Sequence, residues 1–487
     1  MLLIALAALI ASAVCTDFVA GMAVVALGAV FLLLRGSGDP GIFMFCLAYQ
    51  WMFIVTGLIF QDLMGVYPGN IPTDSLGTAV ALMLLSLVAL AGGIRGGMIL
   101  CDHLTGPLHV SMAAKEATYD VNRLFWLVIS LFAASWLTNA TSRQVAYSIS
   151  QILSAGVQFR FVFLYMLFLT VIRSGRGWGR GLVALAFALI PTFTSGMSSF
   201  KELLFMLLLA MLTEIARRRA TIGLSRGMKR TCLAAACLAM ALVPVGLIWN
   251  GAIKPAWRPQ VQGAQRIEGS RIALLGAFFN TAVDAITHMD WTSSVETSAQ
   301  RFSNAPYLFS RVVDRIPGQI PYEDGSLTWR GVQHILTPRF LFPNKVNLGS
   351  DSWMVRKYAG VAAAGEESDT SVGLSYLAEF YIDFGPIGMC VAAFCFGSPL
   401  GMAYRSLALV APSPPFYAGS AATVMIGGFM GLEAGFAKLL GTLVMNLAVF
   451  AVLLRIFGRR WHSALVLVPK QRRRPSAIGT RVVNKPS

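Results

Sequence analysis

Two cations in a proline-locked segment are the first candidates for chemistry. Arg339 and Lys345 flank the run FLFPN between Pro338 and Pro343. Prolines hold such a stretch extended, so both charges are presented by a stiff backbone. An arginine fork suits phosphate oxygens, and a lysine adds a point charge. Downstream, Glu379 lies one turn inside an apolar run with Asp383 four residues on, on the same helical face. Carboxylates at a membrane boundary are costly unless used or paired. Glu379 is therefore a candidate base, with a structural pair to Arg330 or Arg339 as the plainer alternative. His334 titrates in the useful range and is a rival base, and Asp351 is a third.

Further cations could join a phosphate site. Lys201 follows TSGMSSF at the start of an apolar helix. A helix N-terminus attracts anions, yet a cation there opposes the dipole, so the lysine needs another reason, either a ligand or snorkelling to headgroups. Arg160 lies inside an apolar helix end, where an unpaired charge is expensive. Arg301 and Arg330 are candidates too, while Arg311, Arg315, Glu366, Glu367 and Asp369 are weaker. Together these types suit displacement of an anionic leaving group: cations stabilise its charge and a base takes a hydroxyl proton. No GxxxxGK[ST] loop, no GxGxxG between strand and helix, and no HExxH occurs, so energy and electrophile must arrive with the substrate. No metal site or nucleotide cofactor is expected.

The elements that must position these residues read as membrane. Of 487 residues, 56% are hydrophobic and 13% charged, with mean hydropathy +0.65, against about 25% charged in soluble domains. Apolar segments near 2–15, 18–34, 41–62, 75–94, 123–138, 157–172, 181–198, 202–216, 231–252, 384–403, 416–434 and 438–456 predict an all-α polytopic protein of about 12 transmembrane helices. The organisation expected is transmembrane helices 1–9 over 1–253, a large helical loop over 254–383, helices 10–12 over 384–458, and a basic, disordered tail over 459–487.

The net charge of +16 is not a nucleic-acid footprint. The 254–383 stretch holds 12 Lys/Arg and 13 Asp/Glu, so the excess sits in short turns such as RSGRGWGR (173–180) and RRRATIGLSRGMKR (217–230). Such turns mark the cytoplasmic side, which puts both termini inside and 254–383 outside. The first apolar run lacks a basic n-region and fits a cleavage or lipid-attachment box poorly, so it reads as a retained helix. The seven cysteines avoid the long loop, and no disulfide framework or Cys/His metal spacing follows. Trp257, Trp291, Trp329 and Trp353 argue that this loop folds, and 303–315 reads as an amphipathic helix presenting Leu308, Val312 and Ile316.

The order TPRFLFPNK, a polar interval, then SYLAEFYIDFGPIG resembles the bacterial O-antigen and exopolysaccharide repeat-unit polymerases of the Wzy type. Their Gly-Ser-Arg turn reads SGMSSFK here, with Lys201 in place of the arginine. The resemblance covers roughly 193–204 and 300–390. It implies a GT-C-like inverting glycosyltransferase of the bacterial inner membrane. The glycan on undecaprenyl diphosphate would be donor, and a hydroxyl of a second lipid-linked repeat unit the acceptor. A chain-length regulator (polysaccharide co-polymerase) is then a candidate partner; no nucleic acid is expected. An O-antigen ligase shares this chemistry. A lipid-linked sugar flippase is a rival of another class, but it would need polar groups spread through its helices, which are largely bare. A structural subunit of an export complex is a third.

Overall fold

The computed structural model describes residues 18–35, 41–64, 73–106, 117–141, 147–193, 200–221, 226–262, 271–337, 342, 351–363 and 372–467. Their regular structure is helical, with one isolated bridge, Tyr119 to Val466, and no strand. In order come α1 (Phe18–Leu34), α2 (Ile42–Met64), α3 (Leu76–Thr105), α4 (Val121–Thr141), α5 (Tyr147–Gln158), α6 (Arg160–Ser174), α7 (Trp178–Phe193), α8 (Phe200–Thr221) and α9 (Arg226–Ile248). A π-turn (Trp249–Ile253) runs into α10 (Lys254–Gln262), α11 (Arg271–Thr287), α12 (Trp291–Arg315) and α13 (Ser326–Leu336). The short α14 (Asp351–Met354), α15 (Tyr376–Val410), α16 (Pro414–Gly428) and α17 (Phe436–Leu465) complete the chain.

The expected apolar segments from residue 18 onward fall largely on helices; 181–198 runs outside the described residues after Phe193, 416–434 leaves its helix after Gly428, and the first, 2–15, lies outside the described residues. Among the described residues, five helices are long and apolar enough to cross a membrane: Leu76–Thr105, Ile152–Ser174, Gly227–Gln260, Tyr376–Val410 and Phe436–Leu465. That is compatible with a membrane protein. The other apolar helices are shorter, several falling below the roughly 20 residues a straight span needs.

The spine is the pair α3 and α15, which lie against each other over much of their length. Gly93 and Gly97 on α3 meet Gly397 and Gly401 on α15. A Cβ at Gly97 would collide with the Ser398 carbonyl, and one at Gly401 with the Ile94 carbonyl. Two small-xxx-small motifs thus let the backbones touch, which is how apolar helices gain packing energy without a hydrophobic driving force between them.

The polar stretch is not separate from this bundle. The second half of α12 carries Leu308, Phe309 and Val312 into the main core, joined by Ile316, and packs on α2 and α3. Its residues bond back as well: Thr73 Oγ1 donates to Asp314 at 2.8 Å, and the Phe53 and Phe302 rings meet edge to face. Asp290 caps α12 by accepting from Thr292 N and Ser293 N. The expected face of Leu308, Val312 and Ile316 is buried as read, although the helix starts at Trp291 rather than near 303. Of the four tryptophans, only Trp257 is buried, in a small second core with Phe200, Trp249, Phe278 and Ala282. Trp291, Trp329 and Trp353 are exposed.

Candidate functional site at the start of helices α15 and α17

Ser375 opens α15 from a left-handed conformation and accepts from Leu377 N. The helix then breaks at Gly385 (φ 70°), a residue before Pro386, so a nine-residue outer piece, 376–384, leads the longer run. Glu379 and Asp383 share a face of that piece, as their spacing requires. Among the described residues neither carboxylate accepts a hydrogen bond from an arginine; both cap other helices. Glu379 Oε2 accepts from Phe436 N, the first residue of α17, at 3.1 Å. Asp383 accepts from Leu327 N (3.0 Å), Thr328 N (2.7 Å) and Thr328 Oγ1, all on the first turn of α13. Each satisfies backbone donors that a helix start leaves orphaned. Arg330 instead lies within electrostatic reach of Tyr358.

The turn between α16 and α17 gathers the acidic groups. A Cβ on Gly435 would strike Glu379 Oε1 and touch Asp351 Oδ1, so both carboxylates crowd this glycine. Asp351 Oδ2 meets Lys438 Nζ at 3.7 Å, with a quarter of the Asp351 side chain exposed. Glu433 on the same turn accepts from Arg301 at 3.1 Å. Helix α13 lies across the start of α17, with Gly331 against Phe436 and Ala437 and Ile335 against Gly441; this puts His334 on the element covering the turn.

Beside the acids stands a basic group. Lys254, at the start of α10, is within electrostatic reach of Arg301, Arg258 and Lys201, and of the acid Glu433. Lys201 Nζ sits 6.0 Å from the Tyr49 ring centroid, and its neighbour Glu202 is within reach of Arg160. Arg160 lies over the Phe132 and Phe161 rings at 4.9 and 5.0 Å. Its Nε and Nη1 are buried without a hydrogen-bond partner among the described residues. Behind this site, Glu323 binds Lys357 Nζ and the Tyr358 hydroxyl at 2.6 Å each. The Lys357 bond, then that of Tyr358, holds the carboxyl down at about 2, and burial raises the Tyr358 phenol.

The structure therefore brings Glu379 and Asp351 together, and groups Lys201 with Arg301. Arg160 joins them through Glu202, and Arg330 stands on α13 within reach of Tyr358. Arg339 and Lys345 lie outside the described residues, as do Glu366, Glu367 and Asp369. Lys254, Arg258, Glu433 and Lys438 were not anticipated. The short 433–438 turn held the available signal, an acid and a base five residues apart where apolar sequence is interrupted.

A group of cations around Lys254, beside two converging carboxylates, at one end of long apolar helices, defines a helical protein with a charged site at the edge of its apolar bundle. The chain belongs to the family described as "Domain of unknown function (DUF8712)", which it matches over residues 92–405. That stretch runs from the glycines of α3 to the end of the α3–α15 pair. No curated protein matches this chain, and no solved structure does.

Proposed function

We propose that this protein polymerises oligosaccharide repeat units carried on undecaprenyl diphosphate, as an inverting membrane glycosyltransferase. The observation that carries the reading is the gathering of Arg301, Arg258 and Lys201 around Lys254, with Glu433 bonded to Arg301 and standing on the turn that the Asp351–Glu379 pair crowds. The Wzy-type pattern of TPRFLFPNK and AEFYIDFGPIG supports it and adds Arg339 and Lys345 as diphosphate ligands.

In this reading the acceptor hydroxyl attacks the anomeric carbon of the donor glycan. The new C–O bond forms as the bond from that carbon to the diphosphate oxygen breaks. The cations hold the departing diphosphate, whose charge grows along the reaction. Asp351 takes the hydroxyl proton, because a base must reach its substrate and Asp351 is the more open of the two acids. Glu379, with one oxygen committed to Phe436 N, is a positioning residue that fixes the start of α17. His334 would orient the acceptor from α13. Twelve spans, cytoplasmic termini and a periplasmic 254–383 region in the bacterial inner membrane complete the proposal, which needs neither metal nor nucleotide.

The test is lengthening by purified protein in detergent, given a synthetic undecaprenyl-diphosphate-linked repeat unit. Products of two or more units, with release of undecaprenyl diphosphate in step, are expected. Transfer only to a lipid A-core acceptor would make it a ligase. No transfer in detergent, with movement of the lipid-linked sugar across vesicles, would make it a flippase.

A further inference from the structure

Helix α11 presents three parallel stripes, each shifted by one residue from the last. Leu274, Phe278 and Ala282 turn inward onto the small core built by Phe200, Trp249 and Trp257. One residue on, Phe279, Val283 and Ile286 are exposed at 57%, 61% and 46%. One further on, Asn280, Asp284 and Thr287 are exposed and polar, with Asp284 paired to His288 in the open. The pattern repeats as buried Phe278, bare Phe279, polar Asn280, then buried Ala282, bare Val283, polar Asp284.

No uniform surroundings suit all three stripes. In water, a Phe–Val–Ile row would stay unburied beside polar neighbours for no gain. In hydrocarbon, Asp284 and Asn280 would lose their solvation. A boundary between the two suits each stripe. The neighbours say which boundary it is. The helix packs on the π-turn and α10, which close the 227–260 apolar helix, and that helix faces outward almost throughout. Lys254 and Arg258 stand on that adjoining stretch.

We propose that α11 lies in the plane of the membrane surface, its Phe279–Val283–Ile286 stripe in the acyl boundary and its Asn280–Asp284–Thr287 stripe in water. Its partner is the anionic phospholipid layer, whose phosphates meet Lys254 and Arg258. This is the arrangement of an interfacial helix. It sets the basic group at the depth of lipid phosphates, and it stands whether or not the protein transfers sugar.

The experiment places p-acetylphenylalanine, coupled to a hydroxylamine nitroxide, singly at 279, 283, 286, 280, 284 and 287 of the full chain, leaving native cysteines in place. All six positions are exposed, so each variant keeps the packing of Phe278 and Ala282, checked by its elution in detergent. The variants are reconstituted in vesicles containing phosphatidylglycerol and read by power saturation with oxygen and with nickel-EDDA. The expected result is a high oxygen-to-nickel collision ratio at 279, 283 and 286, falling at 280, 284 and 287. Equal ratios on the two stripes overturn the proposal in favour of a solvated helix. Protection of 279, 283 and 286 from both reagents overturns it in favour of a protein partner or second copy.

Discussion

The two ends of the helices handle charge in opposite ways. At the end holding the α8 C-terminus and the α15–α16 turn, arginines are closed onto carboxylates. Arg405 binds Asp102 through two bonds of 2.9 and 2.8 Å. Glu214, fully buried, takes Arg173, Arg217 and Arg218 at 3.0, 2.7 and 2.6 Å. Tyr119 joins the parts, bonded to Ser413 and His462 and within reach of Arg173. At the Glu379 end, Lys254 stands among Arg301, Arg258 and Lys201, with Glu433 beside it and bonded to Arg301, while Asp351 meets Lys438 at 3.7 Å. Closed networks of charge-assisted bonds fasten helices together. Like charges set close together repel, and an anion bound among them offsets that cost. The first end is therefore read as structure and the second as site.

The comparison breaks most directly at Arg405. Arg405→Ala removes a buried guanidinium with both its bonds to Asp102 and is expected to cost about 3–5 kcal/mol, enough to lose folded protein. Thermal unfolding in detergent would show it, and an unchanged midpoint would mean the closed end is not structural. Next in size is Asp351→Asn, expected to lower lengthening about 10²- to 10⁴-fold while the unfolding midpoint stays put. Glu379→Gln keeps an acceptor for Phe436 N and should cost less than about tenfold, as one retained neutral bond allows. The reverse ranking would make Glu379 the base.

The smallest effect belongs to Glu323, whose carboxyl is held down at about 2 by Lys357 and Tyr358. A lowered folded-state pKa means that this stabilisation is present above the ordinary carboxylate range of about 4.3 and is lost as pH falls toward about 2. Stability of the wild type against unfolding should therefore fall with acid over that window, and Glu323→Gln should flatten part of the slope. An equal slope in both proteins would remove Glu323 from the account.

Much of the fold was legible because it rests on local pattern. Apolar runs from residue 18 onward became helices, and spacing alone put Leu308, Val312 and Ile316 on a buried face. The glycines 93, 97, 397 and 401 form two motifs of period four in the sequence, but which helices they join emerges only from the fold. The site was legible only in part. Spacing set Glu379 and Asp383 on one face, but their partners, Phe436 and the first turn of α13, lie more than fifty residues away. Period carries no information about such pairs, so a cap and a salt bridge to Arg330 looked alike. Lys254 reads as the end of an apolar run until the fold sets it near Arg301 and Lys201. The tryptophans misled in the opposite sense: aromatics imply burial in soluble loops, but Trp291, Trp329 and Trp353 stay on the surface, as aromatics at membrane boundaries do.

The central claim is that the basic group holds a lipid diphosphate. Its most direct test is equilibrium binding of undecaprenyl diphosphate to purified protein and to the Lys254→Ala/Arg301→Ala double variant, read at two salt concentrations. Loss of each charged bond is worth about 1.5–3 kcal/mol, so the account predicts binding weakened at least tenfold in the variant, with a shallower salt dependence. Equal affinity and equal salt dependence in the two proteins would contradict it.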